Sequence, residues 1–347
     1  MGFLTEVERL QLRIESMILH VVSNDEFDPA PAQVVQHAGF FLSRILDTDV
    51  APVYQFKDVS ISRNWVEQMA QSAITFEHGA QELSREFSRG HGTTTRDGAF
   101  FIFELRTDDE DVRIYSLIKY DYREAIEQAD NEDGETRLRR IVHAFIDDKK
   151  AIQKAALIRV VGGQAEQLLA TRDRTRVAPE IADYFATFLD VHRISSDEDL
   201  NRLMVTALRE TFNDCKEFLP NQDVASALRQ AKAVLRDRQQ IDEEAIVEAV
   251  VAAAGHPDNE QTQGLLRKRT TQKLRAKRLA GLAFPPDRGV LRKAAMRRIR
   301  TTEGVTILYP DGAAKVRRVL NPDGTGETIT ITTDRIVEDT VVADNAR

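Results

Sequence analysis

Apolar positions along the chain change period several times, and each change predicts an element. Leu12 to Val22 (LRIESMILHVV) is β-branched and apolar and ends at SNDEFDPAP, which predicts a strand and then a turn. Gln33 to Leu46 carries Val34, Ala38, Phe41 and Ile45 at helical spacing. Ser62 to Phe87 continues as a second helical stretch, with Trp65, Met69, Ile74, Phe76 and Leu83 as core candidates. Two apolar runs, GAFFIFEL (Gly98 to Leu105) and VRIYSLIKY (Val112 to Tyr120), flank an acidic turn and predict an antiparallel hairpin. Arg137 to Val161 fits helix and strand alike, and Gly162-Gly163 is a natural breaker near the end of a first domain.

From Val177 the period becomes helical. Ile181, Phe185, Phe188 and Leu189 fall on one face, and three further amphipathic runs carry the pattern to Gly255, with Asp242-Glu243-Glu244 opening the last of them. His256-Pro257 then breaks the helix. Near the end, GVTILYPDG, AAKVRRVLNPDGTG and ETITITTDRIVED have strand period, and the Pro-Asp-Gly turns at 310–312 and 322–324 predict a three-stranded meander. The expected class is α+β: an N-terminal α/β domain over 1–165, a helical domain over 175–256, and basic helices with a small meander over 260–340.

With 42% apolar and 30% charged residues, the composition is that of a folded globular chain, long enough for two or three cores. No apolar run approaches the roughly 20 residues that span a bilayer, so no membrane partner is expected. The start, MGFLTEVERLQLRIE, lacks a basic region followed by an apolar one, and Glu6 stands where a myristoylation signal needs Ser or Thr; a cytoplasmic location is expected.

Charge changes the picture more than composition does. Leu265 to Arg300 holds thirteen Lys or Arg residues and one acid, Asp287, whereas the whole chain is −8; the remainder is therefore about −20. Solvated surfaces usually alternate their charges, and this segment does not. An acidic body repels a polyanion while one basic segment grips it, which points to phosphate contact. On a helix at 100° per residue, the leucines 265, 266, 274 and 279 and the seven cations of 265–280 scatter around the axis. This stretch is therefore expected to order fully only when phosphates neutralise it. Over Gly289 to Arg300, Leu291, Ala294, Ala295 and Ile299 share one face, with Lys293, Arg297 and Arg300 opposite; Arg298 is the exception. The candidate contacts are Arg267, Lys268, Arg269, Lys273, Arg275, Lys277, Arg278, Arg288, Arg292, Lys293, Arg297 and Arg300, with Asp287, Arg288 and the apolar face of 290–299 holding the segment on the body. Phe284 is its only aromatic and no base-reading motif is present, which favours duplex DNA and little sequence preference over stacking on single strands.

Catalytic templates fail where they are best placed to match. The loop SRGHGTTTRDG lacks the order of a phosphate loop and reads as a mobile connector. Lys119 is preceded at two residues by Leu117, not by the acid of a restriction-type nuclease. Arg137 and His143 have a spacing that charged helices produce by chance. Glu104 and Asp121 are scattered carboxylates, and Cys215 sits in a helical context. No catalytic residue, metal or cofactor is expected.

FPPDRGVLRK (Phe284 to Lys293) followed by Gly304-Val305-Thr306-Ile307, together with GAFFIFE at 98–104, RIYSLI at 113–118 and VAPEIADYFATFL at 177–189, resembles the bacterial nucleoid-associated protein family of the YejK/NdpA type. The resemblance implies a cytoplasmic, nucleoid-located DNA-binding protein without a known catalytic site. The density of Arg and Lys at 267–278 sets this chain apart from better-known members. Two other readings stay open: an adaptor that docks an acidic surface of a DNA-processing, DNA-topology or defence enzyme, and a nuclease with scattered carboxylates. A homodimer is also left open.

Overall fold

The structure, a computed structural model, describes residues 2–22, 27–90, 98–121, 151–313, 315–322, 324 and 326–340, and the backbone of 123–130 and 136–144. Residues 91–97 of the loop SRGHGTTTRDG and the side chains of Arg137 and His143 lie outside the described residues. The chain divides into two compact units, Met1–Leu291 and Arg292–Arg347.

The first unit runs α1 (Glu6–Gln11), β1 (Arg13–Val22), α2 (Ala38–Leu46), β2 (Tyr54–Phe56), α3 (Ile61–Ala70), α4 (Phe76–Arg89), β3 (Gly98–Arg106), β4 (Val112–Tyr120), β5 (Arg123–Asp130), β6 (Thr136–Ala144), β7 (Ile152–Val161), β8 (Gln164–Ala165), β9 (Leu168–Asp173), α5 (Asp183–Leu189) and β10 (Val191–Arg193). It continues as α6 (Asp197–Asp214), α7 (Val224–Arg236), α8 (Glu243–Ala253), α9 (Glu260–Ala276) and α10 (Arg288–Arg292), which ends at the division. The predicted helix over Ser62 to Phe87 is two, each opened by a hydroxyl cap: Ser60 accepts from Arg63 N–H and Thr75 from His78 N–H. Of its core candidates, Met69 and Leu83 are buried, while Trp65, Ile74 and Phe76 are half-exposed.

An eight-stranded antiparallel sheet, ordered β1-β3-β4-β7-β9-β2-β10 with β8 on β7, is the centre of this unit. β3 and β4 form the expected hairpin, with Phe103 opposite Ser116. Gly162-Gly163, both at positive φ, turn β7 into β8 rather than closing the sheet. β3 reads as an unbroken apolar run because both of its faces are covered. Phe100 stacks on Phe87 of α4 at 4.1 Å, while Phe101 and Phe103, pointing to the other face, meet Phe41 of α2 at 5.1 and 5.2 Å.

The sheet also buries charge. Phe100, Lys119, Lys154 and Asp173 face one another across four strands. Lys154 Nζ donates to Asp173 at 2.6 Å and to Thr175 at 2.8 Å, and lies 4.9 Å over the Tyr184 ring. Burial pushes the Lys154 ammonium down. Burial also pushes the Asp173 carboxyl up, but bonds from Lys154, Thr175 and Ala182 N–H hold it below its ordinary range.

The helices α6–α8 pack against one another as the period predicts, and α9 packs on α6 and α8. In the second unit, β11 (Met296–Arg300) pairs with β12 (Thr306–Pro310), and β13 (Val316–Leu320) with β14 (Glu327–Ile331). The fold is α+β, but two expected details change. The helix over Gly289–Arg300 stops at Arg292, and Met296-Arg-Arg-Ile-Arg is a strand whose sides alternate. Two two-stranded hairpins replace the meander, because β12 takes the Arg-rich strand, not β13, as its partner. The 310–312 turn therefore links hairpins instead of closing one. Among the described residues, no helix is long and apolar enough to cross a membrane.

Candidate nucleic-acid interface

α9 is the backbone of the basic segment in the first unit. Asn259 caps it, its carboxamide oxygen accepting from Gln261 N–H at 2.8 Å. Contrary to the expectation of a helix basic all round, it has a buried stripe: Leu266, Thr270 and Leu274 are each 1% exposed or less. These residues recur at i, i+4 and i+8, and the stripe packs toward α6 and α8. A leucine count misses it because its middle member is a threonine. The Thr270 hydroxyl donates to the Leu266 carbonyl at 2.7 Å, so it lies in the core with its polar atom bonded. The helix is thus ordered by its own protein, without phosphate.

The C-terminal end closes in a Schellman motif. Leu279 N–H donates to Leu274 O (2.9 Å) and Arg278 N–H to Arg275 O (3.1 Å), while Leu274 and Leu279 are both buried. Arg278 sits at φ +55, the left-handed position that usually takes glycine. The next residues are stitched to the sheet side: Ala51 N–H donates to Ala280 O, and a Cβ on Gly281 (φ +69) would stand 3.3 Å from the Asp49 carbonyl oxygen. Phe284 is fully buried and exchanges two backbone bonds with Ile241, and Asn201 donates to Pro285 O at 3.0 Å. Asp287 accepts from Val290 N–H and opens α10, whose Val290 and Leu291 are buried. The anchor is therefore Phe284, Asp287, Val290 and Leu291, not an apolar face running to 299.

The candidate cations of this unit fall into two groups. Lys273 pairs with Asp214 at 2.8 Å, Arg275 with Glu6 at 2.7 Å, and Lys277 with Glu210 at 2.7 Å. Arg267, Lys268, Arg269, Arg278 and Arg288 are exposed and make no salt bridge among the described residues. Three consecutive unneutralised cations on a rigid helix concentrate positive potential on an acidic chain. Beside the end of α9 is a cavity of about 370 Å³, bordered by Arg159, Arg275, Arg278 and Glu166. Arg159 is already committed, to Glu8, Glu166 and the Phe3 carbonyl.

In the second unit Arg292, Lys293, Arg298 and Arg300 are exposed. Arg297, expected outward, turns to the opposite side of its strand and pairs with Asp311, whose side chain is buried. Strand geometry is the cause: Arg297 and Ile299 share one face, and Arg298 and Arg300 the other. Arg298, the exception on a helical reading, is thus a surface cation; the period-two alternation MRRIR is the signal that finds it.

Two of the catalytic candidates, Glu104 and Cys215, are held structurally. Glu104 accepts from Arg113 at 3.0 Å and lies beside Arg106. Cys215 is buried at the C-cap of α6, and burial pushes its thiol up. No cluster of three His, Cys, Asp or Glu residues placed to hold a metal occurs among the described residues.

No curated protein matches the chain. The family model described as nucleoid-associated protein YejK matches residues 18–333, from β1 through the β13–β14 hairpin, and so takes in the sheet, the helices and the basic segment together. On that match the chain belongs to the nucleoid-associated protein YejK family and is, with it, a protein of the cytoplasmic nucleoid.

Proposed function

We propose that this nucleoid-associated protein binds double-stranded DNA directly, through phosphate contacts and with little sequence preference, and that it does so without catalysis. The observation that carries the reading is the triplet Arg267-Lys268-Arg269. These cations are exposed and without salt bridges among the described residues, on a helix held in place by Leu266, Thr270 and Leu274. Arg278 and Arg288 add cations on the same unit, and Lys273, Arg275 and Lys277 hold acids that are exposed or half-exposed and that a phosphate can displace. Contacts of this kind position a duplex without reading its bases. The acidic remainder of the chain repels DNA and confines contact to the basic surface. The commitment of Glu104 to arginines and of Cys215 to the core supports a non-enzymatic role.

The test is a titration of unrelated duplexes of equal length, with matched single strands as competitors. Expected are dissociation constants equal within a few-fold across duplexes and a steep loss of affinity with salt. Salt-independent binding would overturn the reading. Recovery of an acidic protein partner that survives nuclease treatment, with no duplex binding, would replace it with the adaptor role.

A further inference from the structure

The β11–β12 hairpin is a two-stranded ribbon with two unlike faces. Register pairs Arg297 with Tyr309 and Ile299 with Ile307 on one side; these four residues are half-buried, and Arg297 is pinned there by Asp311. The other side pairs Met296 with Pro310, Arg298 with Leu308, and Arg300 with Thr306, and all six are exposed. Arg298 and Arg300 make no salt bridge among the described residues. In the following hairpin Arg318 is held by Glu327 and Lys315 by Asp334, and Arg317 is its one strand cation without a salt bridge among the described residues. Among the described ribbons, β11–β12 brings two guanidinium groups without salt bridges beside exposed apolar side chains on one face, where β13–β14 brings one.

We propose that this face of the β11–β12 ribbon enters the major groove of duplex DNA. The inference rests on the duplex-binding reading above and gives it a second contact element, in the second unit. Five residue pairs span about 17 Å, and two strands about 5 Å apart, with side chains, match a groove about 12 Å wide that admits a two-stranded β-ribbon. A guanidinium reaches phosphates at the groove edge and the acceptors that every base pair shows at its floor (N7 of either purine, O6 of guanine, O4 of thymine), so the contact needs no fixed sequence, and Met296 and Leu308 lie against the apolar parts of the base edges. Charge chooses the occupant: the edges of a groove are lined with phosphate, and the face offers two cations and no acid.

The experiment compares the full chain with R298Q/R300Q, with the charge-keeping R298K/R300K, and with the α9 variant R267Q/K268Q/R269Q. Each is titrated on plain duplex, on duplex whose major groove is filled by glucosylated hydroxymethylcytosine, and on duplex whose minor groove is filled by netropsin. For R298Q/R300Q the salt slope falls by about 1.8 and affinity by about tenfold. Wild type loses affinity on the major-groove-filled duplex and keeps it on the netropsin-filled one. R298K/R300K retains the salt slope and loses that discrimination, since lysine lacks the guanidinium fork. If R298Q/R300Q binds like wild type while the α9 variant is weakened, the ribbon proposal fails and duplex binding stands. If neither variant is weakened, duplex binding through these cations fails with it. Competition by netropsin alone would overturn the groove assignment.

Discussion

Neutralising Arg267, Lys268 and Arg269 together tests the interface most directly. All three are exposed on α9 and make no salt bridge among the described residues, so R267Q/K268Q/R269Q removes charge and little else. Glutamine is nearly as good a helix former as lysine or arginine, and the buried stripe of Leu266, Thr270 and Leu274 is untouched. Unfolding free energy should therefore stay within about 0.5 kcal/mol of wild type. Each lost phosphate contact removes about 0.9 from the slope of log K against log salt, so three remove about 2.7. Between 50 and 200 mM salt, that slope difference corresponds to about a 40-fold difference in affinity loss. The reverse variant, D214N/E210Q, releases Lys273 and Lys277 from these acids and should steepen the slope by up to about 1.8. Fluorescence anisotropy on a short duplex across this salt range reads both. A wild-type slope in the folded triple variant would refute the reasoning.

Arg278→Gly should separate stability from binding. It relieves a left-handed conformation that costs a non-glycine residue about 1 kcal/mol, so denaturant stability holds or rises slightly while the salt slope falls by about 0.9; lower stability with unchanged binding would make Arg278 purely structural. Lys154→Met strands the Asp173 carboxylate in the sheet and should cost about 3–5 kcal/mol, whereas K154M/D173L should recover most of it in a double-mutant cycle. His20 is buried, its Nε2 accepting from Ala30 N–H at 3.0 Å, and burial pushes its imidazole down to about 4 against the opposing pull of Asp28. The unfolded chain binds that proton near pH 6.5 and the folded one only near 4, so stability falls as pH drops through that window, by on the order of 3 kcal/mol at most. His20→Gln should flatten the decline; an unchanged pH profile would place the titration elsewhere.

Much of the fold was legible because period and burial agree locally. The β3–β4 hairpin, the Phe185–Phe188–Leu189 face of α5 and the helical run to Gly255 each carry their own signal. The basic segment was legible as a charge anomaly, and the motif from Phe284 to Arg288 marked the family. Arrangement within the segment was not. A one-dimensional helical wheel treats Thr270 as polar, and only the Leu266 carbonyl one turn away makes it a core residue. Similarly, AAMRRIR suits a helix or a strand, and the pairing of β11 with β12 decides between them. Which cations stay unpaired depends on acids distant in sequence: Glu6 reaches Arg275, and Asp214 and Glu210 reach Lys273 and Lys277. Charge is additive along a chain, so the sequence by itself determined that the protein has one cationic region on an acidic body. Ion pairing and strand register are contacts between distant residues, so only the tertiary structure decided that the region's exposed cations without salt bridges among the described residues are Arg267–Arg269, Arg278 and Arg288 in one unit and Arg292, Arg298 and Arg300 in the other.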